Sequence, residues 1–197
     1  MSIKRIGVAG YMGAGKSTCM QFLADENTVL IDADYHAKRL MENDRIIKDL
    51  IFTQFGKNVK ENDTINFKEL GKIAFSSLTE LKKLNEIVHP PLISHLENLI
   101  LKPSLDTTIK KIVLDAALIP LWNIECWFDD LLWIESSHEI RLNRLAKKSK
   151  GQIGLDELEH RMKLQETLFD SPDKNKWIMV RNDAEVKDIK SFLQKFK

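Results

Sequence analysis

Gly10-Tyr11-Met12-Gly13-Ala14-Gly15-Lys16-Ser17-Thr18 is a complete phosphate-binding loop of the form G-x-x-x-x-G-K-[ST]. Its surroundings fit: Ile6 and Val8 alternate with Gly7 and Ala9 upstream as in a buried strand, and Met20, Phe22 and Leu23 give the downstream segment an apolar helical face. The three glycines let the backbone turn tightly and approach a ligand with no Cβ in the way, so that successive N–H groups converge on phosphate oxygens. Lys16 supplies a mobile charge for the β- and γ-phosphates, Ser17 offers its hydroxyl to Mg²⁺, and the helix N-terminus adds its dipole and free amides. The expected ligand is a nucleoside triphosphate.

Such a loop works where a strand delivers it to a helix, and the rest of the chain alternates accordingly. Strand-like runs fall at residues 3–9, 28–31, 109–114, 130–134 and 177–180, each short and mostly apolar, as strands covered on both faces should be. Helical spacing separates them, which predicts an α/β fold with a mainly parallel sheet flanked by helices. Residues 35–104 show helical spacing and little strand character. Within them Leu70, Ile73, Ala74, Leu78, Leu81, Leu84, Ile87 and Val88 form one face that His89-Pro90-Pro91 is expected to interrupt. A second insertion, about residues 138–170, carries Arg141, Arg144, Lys147, Lys148, Lys150, Arg161 and Lys163. In the last segment Val186, Ile189, Phe192, Leu193 and Phe196 share a face, with Asn182 or Asp183 placed to start the helix.

A length of 197 residues suits one large domain with inserted lobes. Thirty Lys and Arg balance 29 Asp and Glu, so no global field points to nucleic acid or to an acidic membrane. No window approaches the roughly 18 unbroken apolar residues of a membrane span, and no apolar signal core opens the chain. Cys19 and Cys126 show neither metal-ligand nor disulfide-framework spacing, which fits a reducing, cytoplasmic setting. A monomer is the default expectation.

Three further sites carry chemistry. Asp32 and Asp34, in Val29-Leu30-Ile31-Asp32-Ala33-Asp34, stand just past the C-terminal edge of a strand, where open α/β sheets bind ligands. One carboxylate can face the metal while the other orients an acceptor hydroxyl and takes its proton; alternatively either one caps the next helix. Asp115 ends the apolar run Ile112-Val113-Leu114, the usual form of a Walker-B element that holds Mg²⁺ through water. The basic insertion after Ser137 reads as a mobile lid that shields the transferring group, with Arg144 able to grip phosphate oxygens in two places, or else as a solvated charged face. His89, before a proline, is either structural or part of the acceptor site.

Taken in order, the loop, Ile31-Asp32-Ala33-Asp34, Phe55-Gly56, His89-Pro90, Arg144, Gln165 and Asn182 resemble the landmarks of dephospho-CoA kinase over nearly the whole chain. The resemblance implies a P-loop NTPase fold with three parts. These are a nucleotide core at about residues 1–34, 108–137 and 174–197, a helical acceptor-binding lobe at about 35–107 and a lid at about 138–173. It implies transfer of the ATP γ-phosphoryl group to the ribose 3′-hydroxyl of dephospho-CoA, with ATP and Mg²⁺ as cofactors. By this likeness Asp34 is the catalytic base, with Lys16 and Arg144 also catalytic. Gly13, Ala14, Gly15, Lys16, Ser17 and Thr18 cradle ATP, Asn182 neighbours the adenine, and His89 lies in the acceptor site. Ser17, Asp115 and Asp32 are the metal residues. The chain departs from the family pattern at Ala117-Leu118-Ile119-Pro120-Leu121, at Lys148 for a second lid arginine, at Leu168 and at Phe67, where an arginine is frequent. Competing expectations are another small P-loop kinase acting on a nucleotide or metabolite hydroxyl, or a nucleotide-binding regulator without efficient transfer.

Overall fold

The computed structural model describes residues 3–101, 108–183 and 186–196. In chain order the elements are β1 (Lys4–Ala9), α1 (Lys16–Leu23), β2 (Thr28–Asp32), α2 (Ala33–Asn43), α3 (Arg45–Phe55), β3 (Lys60–Glu61), β4 (Thr64–Ile65), α4 (Phe67–Ala74) and α5 (Leu78–Leu101). They continue with β5 (Lys111–Asp115), α6 (Ile119–Trp122), β6 (Asp130–Glu135), α7 (His138–Ser149), α8 (Leu155–Leu168), β7 (Ile178–Arg181) and α9 (Val186–Leu193).

Five strands form one sheet in the order β2-β5-β1-β6-β7, and every neighbouring pair is parallel. β1 lies at the centre, so the loop leaves the sheet between the C-terminal ends of β5 and β6. That is the edge where ligands bind in open parallel sheets. All five residues of β5 are buried, the pattern of a strand covered on both faces.

The chain divides into two compact units: a sheet unit of Met1–Asp32 with Ile100–Lys197, and a helical unit of Ala33–Leu99. The sheet unit's core joins Ile6, Val8, Met20, Leu23, Val113, Leu132, Ile134, Val180, Ile189 and Leu193, so α1 and α9 pack on the strands that frame the loop. The residues expected as a lid belong to this unit. The helical unit has its own core of Ile47, Ile51, Phe55, Val59, Ile65, Leu70 and Val88. Two of its helices start on side-chain caps: Asp44 accepts from the Ile46 and Ile47 N–H groups to start α3, and Asn66 accepts from Glu69 N–H to start α4.

Three expectations need correction. The strands shift by one or two residues at their ends, and β2, β5 and β6 each extend to the acid that follows them. The break at His89-Pro90-Pro91 does not occur, since α5 runs through both prolines. A proline inside a helix costs about 3 kcal/mol. Leu81, Val88, Leu92 and Leu96 keep one face buried on both sides of the pair, and burying each such side chain returns roughly 1.5–3 kcal/mol. The helical stretch also contains a hairpin, β3 against β4, turned by Asn62 and Asp63 at φ 47° and 60°. Two central residues at positive φ suit Asn and Asp and match the twist of short hairpins, a signal the helical spacing masked. The described part of the last helix is Val186–Leu193, and its expected start at Asn182 or Asp183 adjoins residues 184 and 185, which lie outside the described residues. Asp183 accepts from Ser137 N–H at 2.8 Å, at the start of α7. The end of the expected lobe, residues 102–107, lies outside the described residues.

Candidate active site

The loop is built as an anion cradle. Gly15 precedes α1 at φ 95°, a left-handed conformation costly for other residues, and α1 has neither a side-chain cap nor an acid in its first turn. The protein therefore does not cap the helix's opening N–H groups with a side chain or cancel its positive end. Gly13 stands at φ 78°, and a Cβ there would lie 2.6 Å from Arg141 O. Ser17 Oγ donates to Asp115 Oδ2 at 2.9 Å. Asp32 is the register partner of Asp115 on the adjacent parallel strand, so both carboxylates leave the same face of the sheet at its ligand edge. A hydroxyl and two carboxylates are hard oxygen donors that fit Mg²⁺, which is usually held by one or two carboxylates, waters and phosphate oxygens. Among the described residues, no group of three or more His, Cys, Asp or Glu could hold a metal alone.

The carbonyl side of the loop is held from behind. Arg144 Nη1 donates to Ala14 O at 3.1 Å, Gly13 O at 3.4 Å and Ser136 Oγ at 3.0 Å, while Nη2 donates to Asn182 O at 2.9 Å. Asn182 is buried, and its Nδ2 donates to Ala14 O at 2.6 Å. Arg144 and Asn182, expected to touch nucleotide, thus sit on the loop itself and fix which way its peptides face. Lys16 opens α1 half-buried, with Ser17 and Thr18 exposed beside it. Cys19, one turn into α1, is buried, and burial pushes its thiol up to about 11, which leaves it an apolar residue rather than a nucleophile.

Asp34 and His89 belong to the helical unit. Asp34 is the exposed second residue of α2, where the helix N-terminus favours a carboxylate. His89 lies in the middle of α5, and desolvation pulls its imidazole down to about 4, so it is neutral at physiological pH.

A model of the family described as CoaE, dephospho-CoA kinase, matches residues 4–188. The chain belongs to the dephospho-CoA kinase family. Membership makes it an ATP-dependent kinase of coenzyme A biosynthesis. A dephospho-CoA kinase of Fusobacterium nucleatum is 29% identical over 198 residues, covering 100% of this chain and 98% of the relative. In fold the chain is similar to TT1252 from Thermus thermophilus, with a TM-score of 0.70 at 21% identity, covering 99% and 96% of the two chains. It is likewise similar to dephospho-CoA kinase from Campylobacter jejuni, with a TM-score of 0.58 at 22% identity, covering 98% and 94%.

Phe67, one of the positions where the sequence departs from the expected pattern, opens α4, and Lys38 Nζ lies 5.2 Å from the centre of its ring. Lys148 stands in the last turn of α7 and Leu168 ends α8. Sequence reasoning counted Tyr11 in the loop, Arg141 in the basic insertion and Gln165 among the family landmarks without assigning them contacts, and it gave Glu166 no role. The structure sets Arg141 over the Tyr11 ring and pairs it with Glu166, and bonds Gln165 to Met12 N–H. The contacts span 153 residues for Met12 and Gln165, so local spacing carries no trace of them.

Proposed function

We propose that this dephospho-CoA kinase transfers the γ-phosphoryl group of ATP to the ribose 3′-hydroxyl of dephospho-CoA in the cytoplasm, with Asp34 as the base. The observation that carries the nucleotide half is the uncapped start of α1 with Ser17 bonded to Asp115, in a chain matched to the family over residues 4–188. The N–H groups from Gly13 to Thr18 bind the phosphates and Lys16 reaches the β- and γ-phosphates. Ser17 directly, and Asp115 through water with Asp32 beside it, would hold Mg²⁺, which neutralises charge across the β- and γ-phosphates. Arg144 leaves the carbonyls of Gly13 and Ala14 for phosphate oxygens as residues 138–173 close, and Asn182 stays beside the adenine. The helical unit binds the acceptor, with neutral His89 in its lining. Asp34 orients the 3′-hydroxyl and takes its proton late, which suffices because positioning and charge stabilisation supply most of the catalysis. Cys19 and Cys126 are both free thiols, in keeping with a reducing compartment.

The test is ADP release by the purified protein with Mg·ATP and, in parallel, dephospho-CoA, AMP, shikimate or no acceptor. Release with dephospho-CoA alone, with coenzyme A as product, is expected. Equal release with AMP or shikimate would overturn the acceptor assignment.

A further inference from the structure

The first half of the phosphate loop is gripped by the far end of α8. Met12 N–H donates to Gln165 Oε1 at 2.6 Å. On the next residue, Glu166 Oε1 accepts from Arg141 Nη2. Arg141 is 6% exposed, and its guanidinium carbon lies 5.4 Å from the centre of the Tyr11 ring. Tyr11 is boxed by Trp133 and Phe169, with ring centres 5.2 and 5.4 Å away, and its hydroxyl donates to Phe169 O at 3.2 Å.

These contacts differ in what they can be for. The aromatic box buries apolar surface and needs no special chemistry to stabilise the fold. The Arg141–Glu166 pair is weak evidence for stability, because an apolar pair of similar volume often does as well, and Nε and Nη1 of Arg141 have no hydrogen-bond partner among the described residues. Its distinctive effect is to fix the end of α8 at the residue beside Gln165. Gln165 in turn touches a loop amide and does little for the core, since it is only half-buried. A loop with glycines at φ 146°, 78° and 95° has many alternatives open to it, and ordering them at the moment of binding weakens affinity.

We propose that Gln165 is a positioning residue for phosphoryl transfer: held by the Arg141–Glu166 pair, its amide oxygen fixes Met12 and keeps the phosphate loop in its binding form before nucleotide arrives. The proposal rests on the kinase reading of the loop.

Gln165→Met, similar in size but without the acceptor, tests it in the full-length protein. One hydrogen bond of ordinary net worth corresponds to a roughly three- to tenfold change. ATP affinity and KM for ATP should worsen by about that factor, and binding of inorganic tripolyphosphate should weaken equally. KM for dephospho-CoA and kcat should stay within about twofold. Glu166→Gln, which removes the charge of the pair but keeps its shape, should move the same quantities in the same direction and less far. Unchanged tripolyphosphate binding in Gln165→Met would overturn the proposal. So would a parallel loss of ATP and dephospho-CoA affinity with a lowered melting temperature, which marks a general structural role. A fall in kcat at constant KM for ATP would overturn it too, in favour of direct contact with the transferring group. Tripolyphosphate binding needs no acceptor, so this result is readable even if the acceptor assignment fails.

Discussion

Around the phosphate loop, the sheet unit is held by polar contacts from distant parts of the chain. Asn182 and Arg144 take the carbonyls of Gly13 and Ala14, Gln165 takes the Met12 amide, and Asp115 takes the Ser17 hydroxyl. Cohesion of the helical unit is apolar instead. Its core is Ile47, Ile51, Phe55, Val59, Ile65, Leu70 and Val88, and most of its ion pairs join exposed neighbours one turn apart on a single helix, such as Lys38–Glu42 and Arg45–Asp49. Exposed pairs of that kind contribute about 0.3–0.5 kcal/mol each. The difference teaches where precision is needed. Phosphates are recognised by backbone amides, so the sheet unit must fix peptide orientations. In the proposed function the helical unit presents Asp34 from α2 and His89 from α5, and needs only stable helices behind them.

Mutations in the two units should therefore fail differently. The largest effect is expected for Asp34→Asn, which should lower kcat about 10²–10⁴-fold, the usual span for losing a general base, and leave ATP affinity within twofold. Steady-state kinetics with separate ATP binding measurements checks both halves. Loss of ATP affinity in this variant would break the division of labour. Lys16→Ala comes next. Hydrogen bonds to charged groups are worth about 1.5–3 kcal/mol, so ATP should bind roughly 10- to 150-fold more weakly. Calorimetric titration with ATP reads this directly, and an unchanged affinity would remove Lys16 from the cradle. A smaller loss is expected for Asn182→Ala, which leaves the buried Ala14 carbonyl with Arg144 alone. KM for ATP should rise by about five- to tenfold, the scale of one buried polar group losing a partner, with KM for dephospho-CoA unmoved. A rise in both would show that the loop support reaches beyond the nucleotide.

What the sequence made legible follows the same contrast. Gly10, Gly13, Gly15, Lys16 and Ser17 are readable because a local turn requires them in that order. Asp115 is readable because a strand must end where the loop emerges. The supporting contacts are not, since nothing in the spacing of Gln165 or Arg141 points to Met12 and Tyr11. In the helical unit the apolar spacing of Leu70, Ile73, Leu81 and Val88 revealed helices. Local rules nonetheless misjudged Pro90 and Pro91, because burial on both sides of them outweighs the lost hydrogen bonds. Asn62 and Asp63 carried a hairpin signal that strands of two residues made easy to pass over.

Acid separates the two units by a subtler measure. Burial holds His89 at about 4, below the ordinary 6.5, so the unfolded chain takes up this proton first. Above pH 6.5 neither state is protonated there and the term is absent. Between pH 6.5 and 4 it increasingly disfavours the fold, and below 4 it is constant. Asp25 in the sheet unit behaves in the opposite sense. Hydrogen bonds from the Thr28 hydroxyl and the Lys111 ammonium lower its carboxyl from 3.8 to about 2. Its contribution is fully present above pH 4 and fades as pH falls through 2. Melting temperatures from pH 7 to 2 for the parent, His89→Gln and Asp25→Asn proteins should show two windows. His89→Gln should gain on the parent between pH 6.5 and 4, whereas Asp25→Asn should start below the parent and converge with it between pH 4 and 2. Curves that stay parallel to the parent throughout would mean that neither group titrates with folding. If His89→Gln alone ran parallel, the imidazole would titrate in the fold as it does in the unfolded chain, and burial would not be what lowers it.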